Sequence, residues 1–244
     1  QYDNAFRMCF SDPNQGSASA DYIAENKLAT KVAIIYNSSD TYSSGIYQTF
    51  ATEAKAKGLD VVAAEAFTAD NKTDFSVQIQ KAKDAGAELV FLPIYYQEAS
   101  LILAQANKAG FTPKWFGCDG MDGILDLDGF DASLAENLMF LTPFTANATD
   151  EATQKFVADY KEAFGDTPIQ FAADAYDCVY VIKAAAEKED VTPDKSASDI
   201  CDALKKGMTE ITYDGLTGKS ITWSEDGEPT KESTVVVVKS GEYQ

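Results

Sequence analysis

The sequence predicts an α/β protein built on a doubly wound parallel sheet. Over the first 145 residues, short apolar runs alternate with longer stretches in which apolar residues recur every three or four positions. The short runs are rich in β-branched and aromatic residues, which is typical of strands, and the longer stretches have the period of amphipathic helices. This alternation favours parallel strands joined by right-handed crossover helices on both faces of the sheet.

The individual elements of this series can be placed on the sequence. Strands are predicted over KVAIIYN (31–37), DVVAAEAF (60–67), ELVFLPI (88–94), KWFGCD (114–119) and NLMFLTPF (137–144). Helices are predicted between them over 43–58, 73–86 and 97–110. Each of these helices ends on a glycine, at Gly58, Gly86 and Gly110, where the left-handed backbone of a helix cap is easiest to adopt.

The pattern changes after residue 145. Three helical stretches follow one another over 149–165, 169–189 and 198–207, and residues 215–244 then carry β-rich runs separated by glycines. This part cannot close a doubly wound sheet by itself. We therefore expect it to be the second half of another α/β lobe, with the final strand returning to the first sheet.

Composition excludes several classes of function. Asp and Glu outnumber Lys and Arg by 39 to 20, a net charge of −19, so a nucleic-acid partner is disfavoured by repulsion. The chain contains no histidine, which removes the histidine-dependent catalytic constellations and the commonest zinc ligand. It also lacks a Gly-x-Ser-x-Gly nucleophile elbow. We expect neither an enzyme nor a bound cofactor or metal.

The four cysteines and the apolar runs say little about chemistry. Cys9, Cys118, Cys178 and Cys201 are far apart in apolar contexts, so we interpret them as small buried hydrophobes. No apolar run approaches the roughly 20 residues that a membrane-spanning helix needs.

Polar residues collect where the predicted strands end. NSSDTYSSG follows the first strand, PIYYQE the third and CDGMDG the fourth. Ligands of open parallel sheets bind beyond the carboxyl ends of the strands, where the strand order reverses. Hydroxyls, aromatic rings and carboxylates, framed by glycines that let the backbone approach, suit a zwitterionic or cationic small molecule.

Six stretches together carry a resemblance to a known family. They are FRMCFSDPNQG, VAIIYNSSDTYSSG, VFLPIYYQEASLILAQA, WFGCDGMDG, FAADAYDCVYVIKAA and GLTGKSITWSEDGEP. The chain resembles the type I periplasmic binding proteins, specifically the branched-chain amino-acid (Leu/Ile/Val) solute-binding proteins of ABC transporters. The resemblance implies capture of a free amino acid between two lobes, delivery to a membrane permease, and an extracytoplasmic location, in the periplasm or at the cell surface as a lipoprotein. A sensory or receptor ectodomain of the same fold is the alternative.

The resemblance also assigns the candidate ligand-binding residues. Tyr42 corresponds to a tyrosine that contacts the ligand, Tyr96 to one that closes over it, and Asp119 to the acid that pairs with its α-ammonium. Asp122 is a further candidate, although its place before GILDLDG favours an N-cap role over ligand contact. For the residues beside these, we expect Tyr95 to pack inward and Asp40 to belong to a turn.

By the same resemblance, residues 13–145 and 229–244 form a complete lobe 2. Residues 1–12 and 146–228 form a lobe 1 that lacks its first part. Helices at 150–165 and 169–188 then carry apolar faces without partner strands, so we expect a second chain, a fused or nicked segment, or a neighbouring copy to cover them. Hinge motion is expected where the chain crosses between lobes, at 11–14, 142–146 and 226–232.

Overall fold

A computed structural model describes residues 2–232 and 234–244 and divides the chain into two compact units. Unit 1 comprises Gln1–Ser11 and Pro143–Ser233, and unit 2 comprises Asp12–Thr142 and Thr234–Gln244. The predicted lobe boundaries at 12/13, 145/146 and 228/229 lie one, three and five residues from these divisions. Residues 1 and 233, which the predicted lobe ranges include, lie outside the described part. That the two units are hinged lobes stays a prediction.

Helices and strands alternate along most of unit 2. In chain order they are α1 (Asp12–Glu25), β1 (Lys31–Asn37), α2 (Thr41–Ala56), β2 (Asp60–Phe67), α3 (Ser76–Asp84), β3 (Leu89–Leu92), α4 (Tyr96–Lys108), β4 (Lys114–Gly117) and β5 (Met139–Thr142). Single 3-10 turns lie at Asp119–Met121, Ile124–Asp126 and Ala132–Ala135. The five strands and three helices predicted here are confirmed, as are the left-handed glycines after α2, α3 and α4.

Helix α1 is an element that the sequence did not predict. The residues that it buries are mostly small or polar, namely Gln15, Gly16, Ser19 and Ala20, with Ile23 as the one larger apolar side chain. A helix of this kind shows no apolar period, so the pattern that reveals α2 and α4 is missing.

The sheet of unit 2 is mixed. Strands β1 to β5 are parallel in the order β2-β1-β3-β4-β5. The late strands β6 (Thr234–Lys239) and β7 (Glu242–Tyr243) extend this sheet as antiparallel neighbours of β5 and β6. The final strand therefore returns to the first sheet, as predicted, and closes one edge with a hairpin.

Helices cover both faces of the sheet because successive strand side chains point to opposite sides. Val90 and Leu92 of β3 belong to the core cluster beneath α3 and α4. Phe91, between them, stacks on Phe50 of α2 with ring centroids 4.0 Å apart. Every residue of β3 is buried, which is typical of a central parallel strand.

Helices α1 and α2 approach each other closely at Gly16. A Cβ atom on Gly16 would lie 2.0 Å from the hydroxyl oxygen of Thr49 and 2.6 Å from the carbonyl oxygen of Ile46. Only a residue without a side chain fits this contact. The contact in turn fixes the position of α1 along the sheet.

We expect Gly16→Ala to lower the free energy of unfolding by about 1–3 kcal/mol, the usual cost of overpacking. The matched control is Gly45→Ala in α2, where an added Cβ meets nothing within 4 Å. That change should raise stability by about 0.5–1 kcal/mol, because alanine favours helix more than glycine does. Urea unfolding measures both. Equal effects of the two changes would contradict this description of the α1–α2 contact.

Unit 1 is mainly helical. It contains α5 (Glu151–Phe164), α6 (Gln170–Lys188) and α7 (Ala197–Glu210), which confirms the three predicted helices. Of the β-rich runs predicted over 215–244, the last forms the strands β6 and β7 of unit 2, whereas the earlier ones form no strand among the described residues. Among the described residues of this unit, β pairing is limited to the bridges Tyr213–Ile221 and Trp223–Pro229, since turns interrupt each run after one pair.

A buried lysine ties the segments of unit 1 together. The ammonium of Lys231 donates to Oδ1 of Asp174 at 2.6 Å, to Oγ1 of Thr217 at 2.8 Å and to the carbonyl oxygen of Met8 at 2.9 Å. Thr217 in turn donates to Oδ2 of Asp177 at 2.7 Å. The N-terminal segment, α6 and the segment after α7 thus meet at one ion pair.

Helix α6 also presents apolar side chains to solvent. Val179 is 66% exposed and Ile182 is 55% exposed, and exposed Phe171 continues the same side of the helix toward its first turn. A contiguous apolar stripe of this kind marks a surface that another polypeptide usually covers. Within the described residues, no helix is both long enough and apolar enough to cross a membrane.

Candidate ligand-binding site

The strand order identifies where a ligand site is expected in unit 2. The order β2-β1-β3-β4-β5 reverses direction between β1 and β3. In sheets of this topology, ligands bind beyond the carboxyl ends of the strands at the reversal point. There β1 ends at Asn37, β3 at Leu92 and β4 at Gly117, so the segments that follow these residues should converge.

The structure brings Tyr42 and Asp119 into direct contact at this edge. The Tyr42 hydroxyl donates to Oδ1 of Asp119 at 2.7 Å and accepts from the backbone N–H of Gly120 at 3.0 Å. Asp119 is only 6% exposed, so its carboxylate is largely removed from water. Asp40 is the N-cap of α2 and accepts from the backbone N–H groups of Tyr42 and Ser43, so its role is structural, as expected, and it positions Tyr42 in the first turn of the helix.

Tyr95 completes the cluster from the end of β3. Its ring stacks on that of Tyr42 with centroids 4.8 Å apart and planes 24° apart. A Cβ on Gly120 would lie 2.8 Å from the carbonyl oxygen of Ile94 and 2.8 Å from the Tyr42 hydroxyl. The first glycine of CDGMDG is therefore required for the three segments to meet.

Tyr95 and Tyr96 exchange the inward and outward positions that were expected for them. Tyr95 was predicted to pack inward, and this is wrong, because its side chain is 39% exposed at the cluster. Tyr96 is the first residue of α4 and packs against the core of unit 2. The role of Tyr96 over a ligand stays a prediction that this packing does not favour.

Asp122 is buried close to Tyr243. Gly123, with φ of 101°, takes the N-cap position of the following 3-10 turn, so the capping prediction for Asp122 is wrong by one residue. The Tyr243 hydroxyl accepts from the backbone N–H of Gly123 at 3.2 Å. Burial, and then the charge of Asp122, raise the pKa of Tyr243. A ligand contact by Asp122 stays a prediction.

Helix α1 supports the site from behind. The backbone N–H of Asp119 donates to Oε1 of Gln15 at 3.0 Å, and the Ser19 hydroxyl lies 3.9 Å from Sγ of Cys118. Both residues lie on the buried side of α1, one turn apart. The sequence analysis missed them, although two polar residues four positions apart between small residues are an available signal for a polar helix contact.

The hydroxyl and thiol groups next to Asp119 are neutral at pH 7. Burial, and then the charge of Asp119, raise the pKa of Tyr42 and of Cys118 well above their ordinary values. Burial also raises the pKa of Tyr95, followed by the charges of Asp40 and Asp119. The site therefore places a carboxyl group among uncharged hydroxyl, thiol and aromatic groups, with further acidic residues nearby, and this suits a cation.

Two cavities lie away from this cluster and have different chemistry. One of about 410 Å³ in unit 1 is mostly apolar and includes Met8, Cys178, Leu204 and Trp223 in its lining. One of about 700 Å³ in unit 2 lies at the amino ends of β4 and β5. Neither contains Asp119, so we place the candidate site by its chemistry rather than by cavity size. In the described part of the chain, no cluster of three or more Cys, Asp or Glu side chains could hold a metal.

A family model described as periplasmic binding protein matches residues 1–242. The chain belongs to this family. The matched residues include parts of both compact units.

Named relatives agree with this assignment. The chain is 30% identical over 229 residues to Leu/Ile/Val-binding protein homolog 3 of Brucella melitensis, covering 93% of this chain and 58% of that protein. Two solved structures are each 28% identical to this chain. The leucine binding protein LivK of Thermotoga maritima has a TM-score of 0.83, with 98% of this chain and 66% of that chain covered. LivJ of Streptococcus pneumoniae, solved in complex with isoleucine, has a TM-score of 0.84, with 99% and 66% covered.

The chain thus spans less than two thirds of the length of these relatives. This chain shares the fold of the corresponding part of the two solved structures.

We expect Tyr42→Phe to lower the free energy of unfolding at pH 7 by about 1.5–3 kcal/mol, because a buried carboxylate loses a donor. The pKa of Tyr42 is raised in the folded state above its ordinary 10.0. The unfolded chain therefore loses this proton first as pH rises, so the contribution is complete below about pH 10 and declines above it. Urea unfolding at pH 7 and at about pH 10.5 measures the change.

A double-mutant cycle with Asp119→Asn isolates the pair. In the protein that already carries Asp119→Asn, the effect of Tyr42→Phe should be smaller at pH 7. An effect of Tyr42→Phe that is the same with and without Asp119→Asn would contradict the assigned hydrogen bond.

Proposed function

We propose that this protein is the extracytoplasmic solute-binding component of an ABC importer and that it captures a free amino acid, branched-chain or otherwise apolar. The observation that carries the proposal is the Asp119 carboxylate, which is buried at the reversal point of the sheet and held by Tyr42. The names of the relatives support the ligand class. Binding rather than catalysis is the role that this chemistry suits.

The α-ammonium of the ligand is the group that Asp119 recognises in this proposal. The Tyr42 hydroxyl donates to Oδ1 of the carboxylate, and an ionised carboxylate can accept several hydrogen bonds at once. An ammonium that enters the desolvated site makes a charge-assisted hydrogen bond, which is stronger than a neutral one. The neutral groups around Asp119 do not compete for the cation.

We assign the ring that covers the ligand to Tyr95 in place of Tyr96. Tyr95 is partly exposed and stacked on Tyr42, so its free face is available to an aliphatic side chain or an ammonium. Tyr96 is engaged in core packing. A shift of one residue at the start of a helix turns a side chain by about 100°, which is enough to exchange these roles.

The partner that receives the ligand is a membrane permease, in this proposal, and the protein works outside the cytoplasm, in the periplasm or as a cell-surface lipoprotein. Groups beyond the Asp119 cluster hold the ligand's α-carboxylate and side chain. These groups belong to the first part of lobe 1, which corresponds to the additional length of the relatives.

We further propose that a polypeptide carrying this part of lobe 1 covers the exposed stripe of α6. The stripe contains Phe171, Val179 and Ile182. Its apolar chemistry fits the strands of an α/β lobe, which bury such helix faces. A separate chain, a fused or nicked segment, and a neighbouring copy are the three sources to distinguish by intact-mass measurement.

The central test is Asp119→Asn in the protein produced in its natural host, so that any polypeptide that completes the site is present. The change keeps size and hydrogen bonding and removes the charge. We expect affinity for leucine, isoleucine or valine to fall by about 1.5–3 kcal/mol, roughly 10- to 150-fold, by calorimetry.

Asp122→Asn is the matched control, since it removes the same charge three residues away. It should weaken binding less, because the charge of Asp122 acts on Tyr243. Wild-type affinity in the Asp119→Asn protein would sink the proposed role of Asp119, and binding of sugars or dicarboxylates in place of amino acids would sink the ligand class.

From the exposed α6 stripe we predict a separate property of the isolated 244-residue polypeptide. It should self-associate as concentration rises, and Val179→Lys with Ile182→Lys should suppress this by placing charges on the stripe. The matched control is Val77→Lys with Leu101→Lys, two exposed apolar residues of unit 2. Analytical ultracentrifugation measures association. A wild-type chain that stays monomeric at every concentration would show that the stripe needs no covering polypeptide.

A further inference from the structure

Gln15 lies directly behind the candidate binding carboxylate. It is in the first turn of α1, three residues after the division between the units, and is completely buried. Its Oε1 accepts from the backbone N–H of Asp119 at 3.0 Å, across 104 residues of sequence. This bond holds the first residue of the 3-10 turn that carries Asp119.

The other end of the same amide is unsatisfied. Among residues 2–232 and 234–244, Nε2 of Gln15 has no hydrogen-bond partner, although it is buried. A buried donor without an acceptor costs free energy. A glutamate at this position would accept the same N–H without any unpaired donor, and a methionine would fill a similar volume without a buried amide.

Glutamine therefore carries the free-energy cost of an unpaired Nε2 but has one property that the two alternatives lack: it offers an acceptor without a charge. A second carboxylate beside Asp119 would disfavour its ionised form, because like charges in a desolvated site repel. The other titratable groups near this region are Tyr42 and the cap residue Asp40 at the start of α2, Tyr95 and Glu98 at the start of α4, Cys118 after β4 and Asp12 on α1. Asp12 already adds negative charge near Cys118 and Tyr95.

We propose that Gln15 is a positioning residue for ligand binding, which fixes Asp119 through a neutral acceptor so that its carboxylate is both oriented and ionised. This inference rests on the proposed function. It adds that α1, the helix without an apolar period, contributes to the site through Gln15 and that the amide cannot be exchanged for its isosteric acid without altering the pH range of binding.

Three variants of the complete protein test the inference by calorimetric titration with leucine between about pH 4 and pH 8. Gln15→Met removes the acceptor and should weaken binding at pH 7 by about tenfold, one lost hydrogen bond to the backbone of Asp119. Gln15→Glu keeps the acceptor and adds charge. Its affinity should begin to fall at a higher pH than in the wild type as the solution is acidified.

The matched control is Ser17→Ala, which removes a polar side chain of α1 whose hydroxyl donates to the carbonyl oxygen of Pro13 within the same helix. Its affinity and pH profile should match the wild type. Urea unfolding of each variant separates loss of binding from loss of structure, and the isosteric Gln15→Glu keeps the test decisive if Gln15→Met does not fold.

The inference is overturned if Gln15→Met folds and binds like the wild type, or if the pH profile of Gln15→Glu superimposes on that of the wild type. Its failure is distinct from failure of the proposed function. Strong loss in Asp119→Asn with no effect at Gln15 removes only the positioning role, whereas no loss in Asp119→Asn removes the ammonium site itself.

Discussion

The burial of one carboxylate constrains the arrangement of the whole candidate site. Asp119 is 6% exposed, and a buried charge is costly unless donors or an opposite charge compensate it. The Tyr42 hydroxyl supplies one donor, and Gly120 has no side chain, so that hydroxyl can come close enough. This cluster also depends on the strand order, since the segments that meet at the carboxylate follow the ends of β1, β3 and β4 at one edge of the sheet.

The buried ammonium of Lys231 in unit 1 is a charge whose role is purely structural. Lys231 has three N–H groups, and a carboxylate, a hydroxyl and a carbonyl oxygen accept from them. Each of these acceptors lies on a different segment, so the lysine fixes their relative positions. Removal of one partner from such a pair leaves an uncompensated charge, and this usually costs about 3–5 kcal/mol. Lys231 thus stabilises the unit, whereas Asp119 lies at the sheet edge where ligands bind.

Most of the fold of unit 2 was predictable because its signals are local. Strands and helices differ in apolar period, and the left-handed turns fall on glycine. The approximate place of the site was predictable too, since topology dictates which strand ends meet. The placement of the Tyr95 and Tyr96 side chains was not, because it depends on the residue at which α4 begins. The contact of Gln15 with Asp119 joins distant parts of the chain, and α1 carries no periodic signal that would announce it.

In the proposed function, the Asp119 cluster binds a group that all free amino acids share, the α-ammonium. An ammonium has the same charge and the same three donors whether the attached side chain is small, branched or aromatic. Discrimination among side chains must therefore come from contacts that lie outside Tyr42, Tyr95 and Asp119, where one methylene group changes binding by about 1–3 kcal/mol. If the proposed ammonium site is correct, ligand preference can consequently change through those outer contacts while Asp119, the supporting helix α1 and the sheet edge that brings them together stay as they are.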